Sequence, residues 1–158
     1  MRVESDYKDL LRILNKHKVR YLIIGAYAAI YYTVPRYSKD LDICVEPEIK
    51  NAGRVFKSLK EFGAPLKGIE PADFTNKNSV YQIGVAPVRV DVMMGMPGIE
   101  FERAWKHRKI ATFDGIRVNI LGINELIKSK KNTKRPVDLV DIENLENSLK
   151  LKSKMRRR

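Results

Sequence analysis

Apolar positions along the chain recur with two different periods, and the changes between them predict its elements. Leu10, Leu11 and Leu14 fall at helical spacing behind Ser5 and Asp6, either of which can cap a first helix. The apolar run Leu22-Ile23-Ile24 predicts a strand over residues 19–24 that stops at Gly25. Residues 26–33 are small and helix-compatible, and Pro35 closes that segment. The next run, residues 40–45, alternates charged and apolar positions and predicts a second strand. Pro47 at a helix start and Gly63 just past its end bracket a helix that carries Ile49, Val55, Phe56 and Leu59. Residues 64–78, rich in Gly, Pro and Asn, read as a loop with at most a short helical turn.

Further along, residues 80–85 and 88–93 predict two strands joined through Ala86 and Pro87. A short helix over residues 99–107 follows, then a hairpin turning at Asp114-Gly115. Helices over residues 123–131 and 136–149 end the pattern. The order of strands and helices predicts an α/β (α+β) fold, one mixed β-sheet flanked by helices. It forms a single domain over residues 1–149, with a basic C-terminal tail at 150–158.

Alternation in the second strand puts Asp40 and Asp42 on one face and Leu41 and Ile43 on the other. Two carboxylates held side by side repel one another unless a cation lies between them. The helix after Gly25 aims unpaired N–H groups and a positive dipole end outward, which suits an anion. Oxygen ligands beside an anion cradle suggest a site for magnesium-bound phosphate. A third carboxylate is available on the strand at 88–92, where Val88, Val90 and Val92 take one face and Arg89 and Asp91 the other. If that strand neighbours the acidic one, Asp91 joins the cluster; otherwise Arg89 and Asp91 are polar residues of a half-exposed strand.

These residues resemble the polymerase β-type nucleotidyltransferase superfamily: a hydrophobic strand, a glycine turn, about a dozen residues, then Asp-x-Asp. Within it the chain is similar to small nucleotidyltransferase-like proteins related to the abortive-infection AbiEii toxins. The likeness rests on Arg36, Ser38, Asp40 and Asp42 in one loop and strand. It rests also on Leu126, Ile127, Lys130, Arg135, Pro136, Asp138 and Asp141 near the end. It implies a polymerase β palm-like fold and transfer of a nucleoside monophosphate from a nucleoside triphosphate to an acceptor hydroxyl. Asp40, Asp42 and Asp91 would be the catalytic and metal-binding carboxylates of a two-metal Mg2+ (or Mn2+) site. Gly25, Ala26, Arg36, Ser38 and Lys130 would bind the nucleotide, ATP among the choices, with Asp138 supporting Lys130. Ala26 departs from the family's Gly or Ser, so a hydroxyl that grips a terminal phosphate is missing.

Charge widens the picture. The 158 residues carry a net charge of +12, which favours a polyanionic partner. Half of that excess is the tail, either a solvated terminus or a phosphate-contacting arm; residues 103–135 hold ten Lys/Arg against only Asp114 and Glu125. RNA is therefore an expected acceptor, with a protein or a small molecule as alternatives, and a toxin–antitoxin or defence role follows from the resemblance. Small size leaves room for a partner protein or a homodimer to complete the site. The lone Cys44 and the lack of an apolar signal core or membrane span place the protein in the cytoplasm. His17 and His107 receive no role, Phe101 and Trp105 read as core contacts, and Arg135 and Lys131 as general positive surface. The competing function is a non-catalytic nucleotide- or RNA-binding module that keeps the fold.

Overall fold

The computed structural model describes residues 5–33, 40–85, 88–133 and 135–156. Its strands are β1 (Tyr21–Ile24), β2 (Asp40–Val45), β3 (Val80–Val85), β4 (Val88–Met93), β5 (Lys109–Phe113) and β6 (Ile116–Ile120). They form one mixed sheet in the order β3-β4-β2-β1-β6-β5. β2 runs parallel to β4 and β1 parallel to β6, while β1–β2, β3–β4 and β5–β6 are antiparallel. The helices are α1 (Ser5–Lys16), α2 (Gly25–Tyr32), α3 (Ile49–Phe62), α4 (Phe101–Lys106), α5 (Ile123–Thr133) and α6 (Pro136–Arg156). They fall into two groups: α1 packs on α3, and α2 packs on α5 and α6.

The hydrophobic pattern accounts for this arrangement. α1 buries Tyr7, Leu10, Leu11 and Leu14, three or four residues apart, so one stripe meets the sheet. In β2 the alternation holds: Leu41 and Ile43 are fully buried, whereas Asp40 and Asp42 keep partial access to solvent. α3 begins at Ile49, two residues later than Pro47 suggests. The Glu48 carboxylate accepts from the Lys50 and Asn51 N–H groups at 2.9 and 3.2 Å and so caps the helix. Buried Asn51 then ties the entry of β1 to the exit of β2: its amide donates to the Arg20 and Glu46 carbonyls and accepts from the Arg20 N–H.

The loop over residues 64–78 carries the short helical turn the sequence allows, while the end of the last helix differs from the sequence reading. Residues 71–75 form a short 3-10 turn that buries Phe74. α6 does not stop at residue 149 but continues to Arg156, so the described part of the basic segment is helix, with its side chains exposed. Lys and Arg are good helix formers, and nothing after Leu149 breaks the turn. The hairpin forms at Asp114-Gly115, both with positive φ (51° and 85°), which matches the twist of the flanking strands. Among the described residues, no helix is long and apolar enough to cross a membrane.

Candidate active site

β1 hands the chain directly to α2, and Gly25 makes that possible. Its φ is +66°, a left-handed conformation open to glycine at little cost. A Cβ at this position would also collide with Oδ2 of Asp42, because Ile24 and Asp42 are register partners. The glycine therefore does two things: it turns the strand into a helix and leaves room for a carboxylate against the helix N-terminus. No side chain caps α2 and no acid sits in its first turn. Ala26 lies in that first turn, partly accessible.

Across the sheet, Asp42 and Asp91 are register partners on the parallel strands β2 and β4, and Asp40 pairs in the same way with Arg89. Strand pairing thus sets Asp42 beside Asp91, with Asp40 two residues away on the same face of β2. Partial burial pushes the Asp42 carboxyl up to about 6, and the neighbouring charges of Asp91 and Asp40 add to that rise. Arg89 and Arg135 pull the other way without cancelling it. Asp91 is 7 % exposed and tolerates that burial because Arg89 grips it twice, Nε to Oδ1 at 3.1 Å and Nη2 to Oδ2 at 2.9 Å. The same guanidinium reaches Asp40 Oδ1 at 3.8 Å. Behind it, the buried Tyr7 hydroxyl donates to the Arg89 carbonyl and accepts from the Arg89 N–H, each at 3.1 Å, fixing the start of β4.

The donor set suits a hard divalent cation, since it offers carboxylate oxygens alone and one of them is held in an unfavourable like-charge setting. Arg89 at present supplies the positive charge. Among the described residues, no three acidic, histidine or cysteine side chains already converge on a point that a metal ion would fill.

Lys130 sits elsewhere than a phosphate-binding role requires. It is 5 % exposed, with Nζ 2.9 Å from Asp141 and 3.6 Å from Asp138, so two carboxylates share it. Asp138 supports Lys130 as expected, but Asp141 is the nearer partner. Burial works to raise the Asp138 carboxyl, yet the Arg135 guanidinium, at 2.9 Å, and the Thr133 hydroxyl hold it below the usual range. Arg135 is more than general positive surface. Its side chain is anchored by Asp138 three residues on and is two-thirds exposed; the bond to Asp138 is what chiefly stabilises its charge, with Asp42 adding a smaller part. The spacing Arg135-x-x-Asp138 at a helix start was the available signal for it. Arg36 and Ser38 lie outside the described residues.

Acids on adjoining strands facing a glycine-opened helix, on a six-stranded mixed sheet flanked by helices, define the nucleotidyltransferase fold. Solved structures agree. A lincosamide antibiotic adenylyltransferase, LnuA, bound to lincomycin superposes with a TM-score of 0.63 at 15 % identity, over 92 % of this chain and 97 % of that one. The antibiotic-resistance factor ANT(2'')-Ia gives 0.66 at 12 % identity, over 92 % and 83 %. An antigenic nucleotidyltransferase-like protein from Paracoccidioides brasiliensis gives 0.58 at 16 %, over 96 % and 79 %. Identities this low speak for the fold alone. No protein-family model matches the sequence, and no curated protein matches it.

Proposed function

We propose that the chain is a nucleotidyltransferase that moves a nucleoside monophosphate from a nucleoside triphosphate to an acceptor hydroxyl. The observation that carries this reading is the Asp42–Asp91 pair, set side by side at the mouth of a helix that Gly25 leaves open. Asp40, Asp42 and Asp91 would hold the divalent cations, Mg2+ with Mn2+ as substitute. Those ions would offset charge on the transferring phosphate. The α2 N-terminus and Arg135 would receive phosphate oxygens, with Arg36 and Ser38 as further ligands from the preceding loop. Lys130 acts indirectly, by holding Asp138 and Asp141 and so the seam that carries Arg135.

In the reaction the acceptor oxygen forms a bond to the α-phosphorus. The bond from that phosphorus to the β-bridging oxygen breaks, and pyrophosphate leaves. The acceptor's proton passes to Asp91, which Arg89 must first release. RNA, a protein and a small molecule all remain acceptor classes, and an AbiEii-like toxin or defence role belongs with the first two. Small-molecule transfer has support from ANT(2'')-Ia, whose structure is known with adenylyl-2''-tobramycin.

Incubation with each α-labelled triphosphate, magnesium and cell lysate tests the proposal: wild type should leave label on an acceptor and Asp42→Ala should not. Equal labelling by both would sink it. The grip of Arg89 on Asp91 favours a second reading, a binding module whose acids are permanently neutralised. Under that reading triphosphate binds but no pyrophosphate is released.

A further inference from the structure

Strand alternation carries the acidic face onward. Cys44 follows Asp42 by two residues and Met93 follows Asp91 by two, and Cys44 and Met93 are themselves register partners. They therefore lie on the face of the carboxylates, about 7 Å further along the strands. Here the sheet forms the floor of a cavity of about 680 Å³, closed by the turn after β4 and the start of α4. The size suits a drug-sized molecule, not a nucleic-acid strand running through.

The lining is unlike the rest of the surface. Met93, Met94 and Met96 all contribute, giving an apolar and adaptable wall. Around them stand Glu46, Glu48, Glu100 and Glu102, with Lys77 as the only basic residue of the lining among the described residues. Arg20 reaches in from the side and pairs with Glu46 at 3.2 Å and Glu102 at 3.4 Å. Even with Arg20 counted, carboxylates outnumber cations, in a chain whose net charge is +12. Glu48 stays ionised because the Lys50 and Asn51 N–H groups bond its carboxylate. Glu100 precedes α4 without capping it.

A phosphodiester strand entering here would meet like charge, whereas an amine would meet its complement. We infer that this cavity is the acceptor site and that it takes a small amine-bearing molecule with an apolar body, not RNA. The inference rests on the nucleotidyl-transfer reading for the word acceptor; the cavity's preference for an amine stands or falls separately.

The test uses the whole chain with methyl-13C methionine, free of nucleotide and metal. The probes are 4-phenylbutylamine, 4-phenylbutyrate and a short single-stranded oligoribonucleotide, and exposed Met155 is the internal control. The amine should shift the Met93, Met94 and Met96 methyl resonances saturably, and the carboxylate of the same body should bind at least about tenfold more weakly. Glu100→Gln should narrow that preference about two- to fivefold, the scale of an exposed charge pair. Equal or tighter binding of the carboxylate, movement of these methyls by the oligonucleotide, or no saturable shift by the amine would each overturn the inference. A protein that binds the amine but never releases pyrophosphate would instead remove the nucleotidyl-transfer reading and leave the cavity's preference standing.

Discussion

The carboxylates of the β2–β4 face and those of the α5–α6 seam are held in opposite ways. In the seam, Asp138 and Asp141 surround a buried lysine, and Arg135 and Thr133 take up what remains of Asp138's bonding capacity. Charge there is matched and the cluster stabilises itself. On the sheet face, three acids share the cation Arg89, with Arg135 at longer range, and Asp42 is left with a raised affinity for protons. A fold that can satisfy four charged groups inside one helix seam leaves its sheet acids under-compensated. That difference separates a structural cluster from one waiting for a ligand.

The largest effect on function should come from the sheet face. Asp91→Asn keeps the shape of the side chain and removes its charge. It should lower triphosphate-dependent transfer by about a thousandfold or more, roughly 4 kcal/mol of barrier, read as pyrophosphate release. Its melting temperature should change little by comparison, since Arg89 is half-exposed and can turn to water.

The seam should answer in stability instead. Asp141→Ala leaves Lys130 buried with Asp138 alone and should cost about 3–5 kcal/mol, a fall of roughly 10 °C in the melting temperature for a domain of this size. An unchanged melting temperature would mean that the seam is not the matched cluster described.

Asp42→Asn should do the reverse. A carboxyl whose folded value lies near 6, above its unfolded value of 3.8, binds its proton more tightly when folded. It therefore costs stability once the pH rises past the unfolded value, fully so above about 6, and costs nothing below about 4. In EDTA the asparagine variant should be more stable than wild type by about 2–3 kcal/mol at pH 8, with no gain at pH 4. Urea midpoints at the two pH values check this. A variant less stable at both would contradict the like-charge account.

Gly25→Ala should give the smallest change, about 1–2 kcal/mol from the left-handed backbone, plus the collision with Asp42. In an Asp42→Ala background only the backbone part should remain, so the double-mutant cycle should show coupling between the two positions.

How much of this was readable from residues alone depends on the range of the interaction. Asp40, Asp42 and Gly25 were legible because alternation and turn chemistry are local, and Asp91 because its β-branched strand tolerates a charge only for a reason. That Asp91 falls beside Asp42, and not one residue off, is a matter of strand register, which no local pattern fixes. Lys130 was read as a nucleotide-binding residue supported by Asp138; its burial and its nearest partner, Asp141, depend on how α5 meets α6. Arg135 was read as general positive surface, and its anchorage by Asp138 shows only once the start of α6 is built. The methionine-walled cavity was not legible either, since residues 77–80 and 93–102 meet only in three dimensions.

The central claim is that the β2–β4 acids wait for a cation carrying a triphosphate. Thermal denaturation of wild type and Asp42→Ala, each with and without magnesium plus a nucleoside triphosphate, tests it most directly. Wild type should gain about 3 kcal/mol at a hundredfold excess over the dissociation constant, and the variant should gain little. Equal gains in both proteins, or none in either with any of the four triphosphates, would contradict the account.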